Sequence, residues 1–290
     1  MFWNREKIEF CTEIPRSDAT PLEAYWIAGE FDDGIEISNI FSAMIVQLFV
    51  KKIIKIRKKE ECIIEFNYDN VDMFSSTYKK TMEDYSLLNE AKPMFKEEIG
   101  FFYNELMKLT ESSKHLMDEL KIGLDELTFL NLLKIVAFEN EGKITTKLLY
   151  KTLMSRDIKS IKDMGVESIL FFFSKLLPSV MFEKGFVVED NLKLLDNANT
   201  KVTEKYQTES KLWKGLKKYL HKGLYDDLEN LSAKTILDLL PYTIIFDCKD
   251  DLIENILLSS EGTFAADIVT IDTIDTLNKE FKILNNIMFA

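Results

Sequence analysis

The densest run of one charge in the chain is Lys51, Lys52, Lys55, Arg57, Lys58 and Lys59. Cations set this closely can meet phosphate, on nucleic acid or on membrane lipid, and each phosphate contact releases a counterion. The plainer use is the solvated edge of a hairpin, kept from pairing with other edges by lysine and answered by Glu60 and Glu61. The plainer use is favoured, and these residues stand as the candidate binding site. No residue is a candidate for catalysis or for metal ligation.

Other familiar chemistries fail on spacing. Gly142-Lys143-Ile144 lacks the upstream glycine and the following Ser or Thr of a phosphate loop, and no Gly-x-Gly-x-x-Gly occurs. His115 and His221 form no His-Glu-x-x-His pattern. The first reads as a surface histidine and the second as a cation at a helix C-terminus. There is no Gly-x-Ser-x-Gly elbow. Asp32-Asp33-Gly34 and Asp226-Asp227 lack the alternation of a calcium loop. With 49 acidic residues, chance pairs of carboxylates are everywhere and mark no acid–base site. Cys11, Cys62 and Cys248 are odd in number and far apart, which suits a reducing compartment and inert buried thiols. No cofactor and no small-molecule ligand is expected.

The elements that would carry these residues are mainly helical. Phe is abundant among the 290 residues, while Gly and Pro are scarce. The net charge of −12 gives no global attraction for nucleic acid or anionic lipid. The longest apolar tract, Ile169 to Phe182, is broken by Lys175 and Pro178 and falls short of the ~20 residues a bilayer needs. The N-terminus, MFWNREKIEF, lacks the apolar centre of a signal peptide. The chain is expected to be soluble and cytoplasmic.

Residues 14–70 read as a first winged-helix-like module. Thr20-Pro21-Leu22-Glu23 is a capping box that starts a helix running to about Gly29. Asp32 to Gly34 turns, and Ile35 and Ile37 alternate as a short strand. Ser38 caps a helix whose face is Ile40, Phe41, Met44, Ile45, Leu48 and Phe49. Ile53 to Ile56 and Ile63 to Phe66 then make a hairpin with a charged tip. Residues 75–125 read as a helical connector. A second winged-helix-like module spans 126–190: a helix through Leu127, Leu130 and Leu133, a turn at Glu141-Gly142, a helix capped by Thr145, a long helix from Asp157 that carries Phe171-Phe172-Phe173, and a strand after Gly185. The order of elements repeats, without a residue-level repeat. A polar linker leads to Gln207. Residues 270–290 form an amphipathic helix with Ile274, Leu277, Phe281, Leu284 and Met288 on one stripe, expected to dock on its own chain.

The segment 208–258 completes the architecture. Leu212, Leu216, Tyr219 and Leu220 recur at helical spacing, and Gly223 stops the helix. A second helix runs from Ser232 to Leu240 and is closed by Pro241. Trp213 and Tyr242 are expected in the core, each with one polar atom to satisfy. This segment resembles the C-terminal cytoplasmic domain of the YciQ-like predicted membrane proteins. Trp213, Gly215, Tyr219 and Leu220 stand for an aromatic-Gly-aromatic helix, and Leu240, Pro241, Tyr242, Ile244 and Ile245 for the Leu-Pro-Tyr segment that follows. The family pattern has Ala after the Tyr and Gly a few residues on, where this chain has Thr243 and Asp247. Residues 21–24 and 45–56 resemble another part of that family, where a turn enters the strand at a Gly whose place Lys52 takes.

The resemblance implies a domain of unknown function at the inner face of the membrane, as a stand-alone relative or as a piece that begins after a membrane span. The expected function is thus a non-enzymatic intracellular interaction module with a protein partner, a membrane protein being one option. The alternative is a winged-helix nucleic-acid-binding regulator that uses the helix from Ser38 to Val50 and the basic hairpin. No specific nucleic-acid binding is expected, because beyond the capping Ser38 only Asn39, Ser42 and Gln47 are uncharged polar side chains of the helix and it carries no Arg.

Overall fold

A computed structural model describes residues 8–29, 37–58, 60–67, 114–115, 117–142, 144–154, 180–182, 184–188, 202–248 and 273–284. The described residues are mainly helical, with one small antiparallel hairpin among them. In chain order the elements are α1 (Pro21–Ile27), α2 (Ile37–Val50), β1 (Ile54–Lys58), β2 (Cys62–Phe66), α3 (Leu124–Glu139), α4 (Thr146–Met154), α5 (Glu204–Lys222), a short α6 (Leu224–Asp227), a 3-10 turn (Leu228–Asn230), α7 (Ala233–Ile245) and α8 (273–284).

The core is organised around α2, whose residues Ile40, Phe41, Ala43, Met44, Ile45, Val46 and Leu48 are all buried. A helix apolar on every side needs neighbours on every side. Its longest contact is with α7; α1, α3 and β1 also pack on it. The last helix adds a further side: Phe281 stacks on Phe41 with ring centroids 6.0 Å apart. Ile274, Leu277 and Phe281 are buried, so α8 docks on its own chain, and Glu280 accepts hydrogen bonds from the Cys62 amide and the Thr146 hydroxyl.

Local chemistry explains the boundaries. Thr20, Thr203 and Ser232 each accept a hydrogen bond from a backbone amide three residues on, the N-cap geometry their hydroxyls favour. Thr145 does the same for the Leu148 amide at the start of α4. Gln47 to Ile53 end α2 in a Schellman turn: Lys52 lies at φ 60° and the Ile53 amide donates to the Leu48 carbonyl at 2.9 Å. Lys52 thus adopts the left-handed conformation expected of a Gly there. The hairpin pairs Ile54 with Phe66 through Lys58 with Cys62, and the sheet gains a third member where Ile63 bridges Thr145. The hairpin of the first expected module is therefore joined to the chain that enters α4 of the second.

Trp213 and Tyr242 are both buried, and their rings lie 5.4 Å apart. The Tyr242 hydroxyl donates to the Ala19 carbonyl at 2.8 Å, whereas Trp213 Nε1 has no hydrogen-bond partner. Gly215 is fixed by close approach. An extended strap at residues 8–12 crosses α5 there, and a Cβ at 215 would lie 2.7 Å from the Glu9 carbonyl oxygen.

Several expectations need correction. Pro241 does not close α7, which continues to Ile245. Leu240, Tyr242, Ile244 and Ile245 are all buried against neighbours, and that packing outweighs the one backbone hydrogen bond a proline removes. The linker ends at Thr203 rather than Gln207, because Thr203 is a stronger stop-and-start signal than the polar composition around it. Ile37 is the first residue of α2, not part of a strand. Leu212 is exposed, and Trp213 takes the inward position beside Leu216. The Asp32–Gly34 turn, the connector before residue 114, the long helix from Asp157 with Phe171-Phe172-Phe173, and Met288 lie outside the described residues.

Candidate functional site

Among the described residues, the strongest concentration of buried charge lies where the first turns of α1 and α3 meet. Glu23 is the third helical residue of α1, after the cap Thr20, and Glu126 holds the same position in α3, after Gly123. Asp125 precedes Glu126. All three carboxylates are fully buried. A helix N-terminus offers free amides and the positive end of its dipole, so acidic residues belong there.

Each glutamate has a cation. Lys184 and Arg16 both lie 2.5 Å from Glu23. Lys51 Nζ lies 2.7 Å from both oxygens of Glu126, which also accepts from the Gly123 amide at 2.6 Å. Asp125 has no cation in direct contact in the ion pairs of the described residues. Its Oδ2 accepts from the Thr20 hydroxyl at 2.5 Å, and its Oδ1 has no partner. Thr20 therefore joins the two helices: it accepts from the Glu23 amide and donates to Asp125.

Burial sets the protonation of this cluster. Desolvation pushes Glu23 up from the usual carboxylate range, against the pull of Lys184 and Arg16, while Asp125 pushes it further. Desolvation also raises Glu126 against Lys51. Asp125 rises to about 6 through burial and then the neighbouring Glu126, only partly opposed by the Thr20 hydrogen bond and Lys184. The Tyr242 phenol is pushed up by burial and by Glu126 and Glu23, so it stays a neutral donor.

Arginine and lysine side chains ringed by buried carboxylates can hold helices together; with Glu23, Asp125 and Glu126 closed off from solvent, they present no carboxylate to a substrate. Among the described residues no group of three or more His, Cys, Asp or Glu is placed to hold a metal ion.

The residues of the basic run separate in space. Lys51 turns inward to Glu126 and also donates to the Lys121 carbonyl. Lys52 occupies the left-handed end of α2 and is exposed. Lys55 and Arg57 point outward on one face of β1; Lys55 stands opposite Glu65, and Arg57 pairs with Glu65 at 3.0 Å. Lys58 is exposed at the strand end, and Lys59 lies outside the described residues. The run is thus one half-buried clasp residue, an exposed lysine at the end of α2 and a mixed-charge hairpin face. His115 is exposed and lies 3.7 Å from Glu119, and His221 is in the last turn of α5. No family model, no curated protein and no solved structure matches the chain.

The cluster of Glu23, Asp125 and Glu126 was not singled out by sequence. One signal was present: a Glu three residues after each helix cap, at Thr20 and at Gly123, marks two helix starts.

Proposed function

We propose that the protein is a non-enzymatic interaction module that contacts another protein through the surface carrying the β1–β2 hairpin, a role in keeping with its resemblance to the cytoplasmic part of the YciQ-like membrane proteins. The observation that carries this reading is the burial of α2. In a groove-reading module that helix would need its polar side chains outside, yet Asn39, Ser42 and Gln47 are all buried. Lys51 is likewise turned inward, and on β1 Glu65 pairs with Arg57 and stands opposite Lys55. A surface of alternating sign suits a protein partner better than a polyanion. No helix among the described residues is long and apolar enough to cross a membrane.

The experiment is site-specific photo-crosslinking in cells, with the photoreactive residue at the exposed Lys55. Protein adducts that resist nuclease and vanish when the probe is moved to the buried Ile54 are expected. Adducts that collapse on nuclease treatment would overturn the reading in favour of the regulator.

A further inference from the structure

We infer that the core is a doubled unit, closed by two crossed Glu–Lys clasps that meet through Thr20 and Asp125 and open together as one latch.

The same geometry occurs twice in the chain. Lys51 is the last residue before the left-handed Lys52 that ends α2; Lys184 is the last residue before the left-handed Gly185 that ends the helix at 180–182. After each comes an apolar residue whose amide donates five residues back, Ile53 to Leu48 and Phe186 to Met181. The next residue begins strand pairing in both: Ile54 in β1, and Val187 bridged to Val202. The two glutamates that receive these lysines also match, since each is the third residue of a helix. Each lysine reaches a group two residues before the cap as well: Lys51 reaches the Lys121 carbonyl, and Lys184 comes within 3.9 Å of Asp18.

The pairing is crossed. The lysine of the first unit holds the glutamate of the second, and the lysine of the second holds the glutamate of the first. Glu126 takes its cation from the other unit alone, whereas Glu23 takes Lys184 from the other unit and Arg16 from its own. The caps touch as well: a Cβ on Gly123 would come within 3.0 Å of the Thr20 methyl, so the second unit has Gly where the first has Thr. Thr20 bonds Asp125 directly, which places no independent hinge between the clasps. Opening the Lys51 clasp would leave Glu126 buried without its cation beside Asp125 and the other clasp, a strongly unfavourable intermediate. Because β1 starts three residues after Lys51, a pull on the hairpin acts on the same turn that holds the latch.

Native-state hydrogen exchange of the full chain tests this. In wild-type protein under rising denaturant, the Ile53 and Phe186 amides should merge into one opening unit with one slope. In Lys51→Met, which leaves Glu126 buried without its cation, exchange should quicken at both amides, by roughly tenfold or more at each, the factor that about 1.4 kcal/mol represents. Separate opening in the wild type, or acceleration at Ile53 alone in the variant, would overturn the latch. A variant too unstable to assay would leave the wild-type result to decide.

Discussion

Asp125→Asn gives the sharpest test of the buried cluster, because Asp125 is the one acid in it without a direct cation. Its carboxyl is raised from 3.8 to about 6 by burial and by Glu126. A raised acid keeps its proton in the folded state after the unfolded chain has lost it. The stability it contributes is therefore fully present below the unfolded value and is lost as pH rises toward 6. At 1.36 kcal/mol per pH unit, that loss amounts to about 3 kcal/mol across the window. Glu23 and Glu126 are raised as well and add in the same direction. Asn cannot ionise, and its carbonyl can still accept from Thr20. The variant's stability should fall much less than the wild type's between pH 4 and 7, so that it overtakes the wild type near neutrality. Urea unfolding at half-unit pH steps measures this. Parallel curves for the two proteins would refute the assignment of Asp125 as a buried, unpaired carboxyl.

Three further perturbations follow from the packing. Gly215→Ala drives a Cβ to 2.7 Å from the Glu9 carbonyl and should release the strap, at a cost of about 1–3 kcal/mol and with faster proteolysis near Phe10; unchanged cleavage would contradict it. Trp213→Ala empties the space against Tyr242 and should cost ~3–5 kcal/mol by thermal or chemical unfolding; an unchanged midpoint would place the segment at the surface. Lys52→Gly relieves a left-handed lysine at φ 60° and should raise stability by about 0.5 kcal/mol after the added freedom of the unfolded chain is subtracted; a loss would show that the lysine side chain contributes more than its backbone costs.

Local signals in the sequence were legible where local physics decides. The caps at Thr20, Thr145 and Ser232 are each a hydroxyl followed by a helix, and each makes its bond. The hairpin's apolar alternation and the α8 stripe are equally short-range. Pro241 misled because tertiary packing, which no window shows, keeps α7 going. The cluster at the junction was hidden for the same reason: Lys51 and Glu126 are 75 residues apart, and Lys184 and Glu23 are 161 apart. Among so many acids nothing marked Glu23 and Glu126 as inward-facing except their position after a cap. A run of lysines conceals which one sits at the end of a helix and turns back, as Lys51 does.

Whether the basic hairpin meets protein or nucleic acid is tested most directly by fluorescence anisotropy with random and genomic duplexes at about 150 mM salt, where the Debye length is about 8 Å and weak phosphate contacts are screened. The interaction-module account predicts no sub-micromolar affinity and no difference when Lys55, Arg57 and Lys58 are changed to Ala. Tight binding that survives this salt and is lost in the triple variant would contradict it.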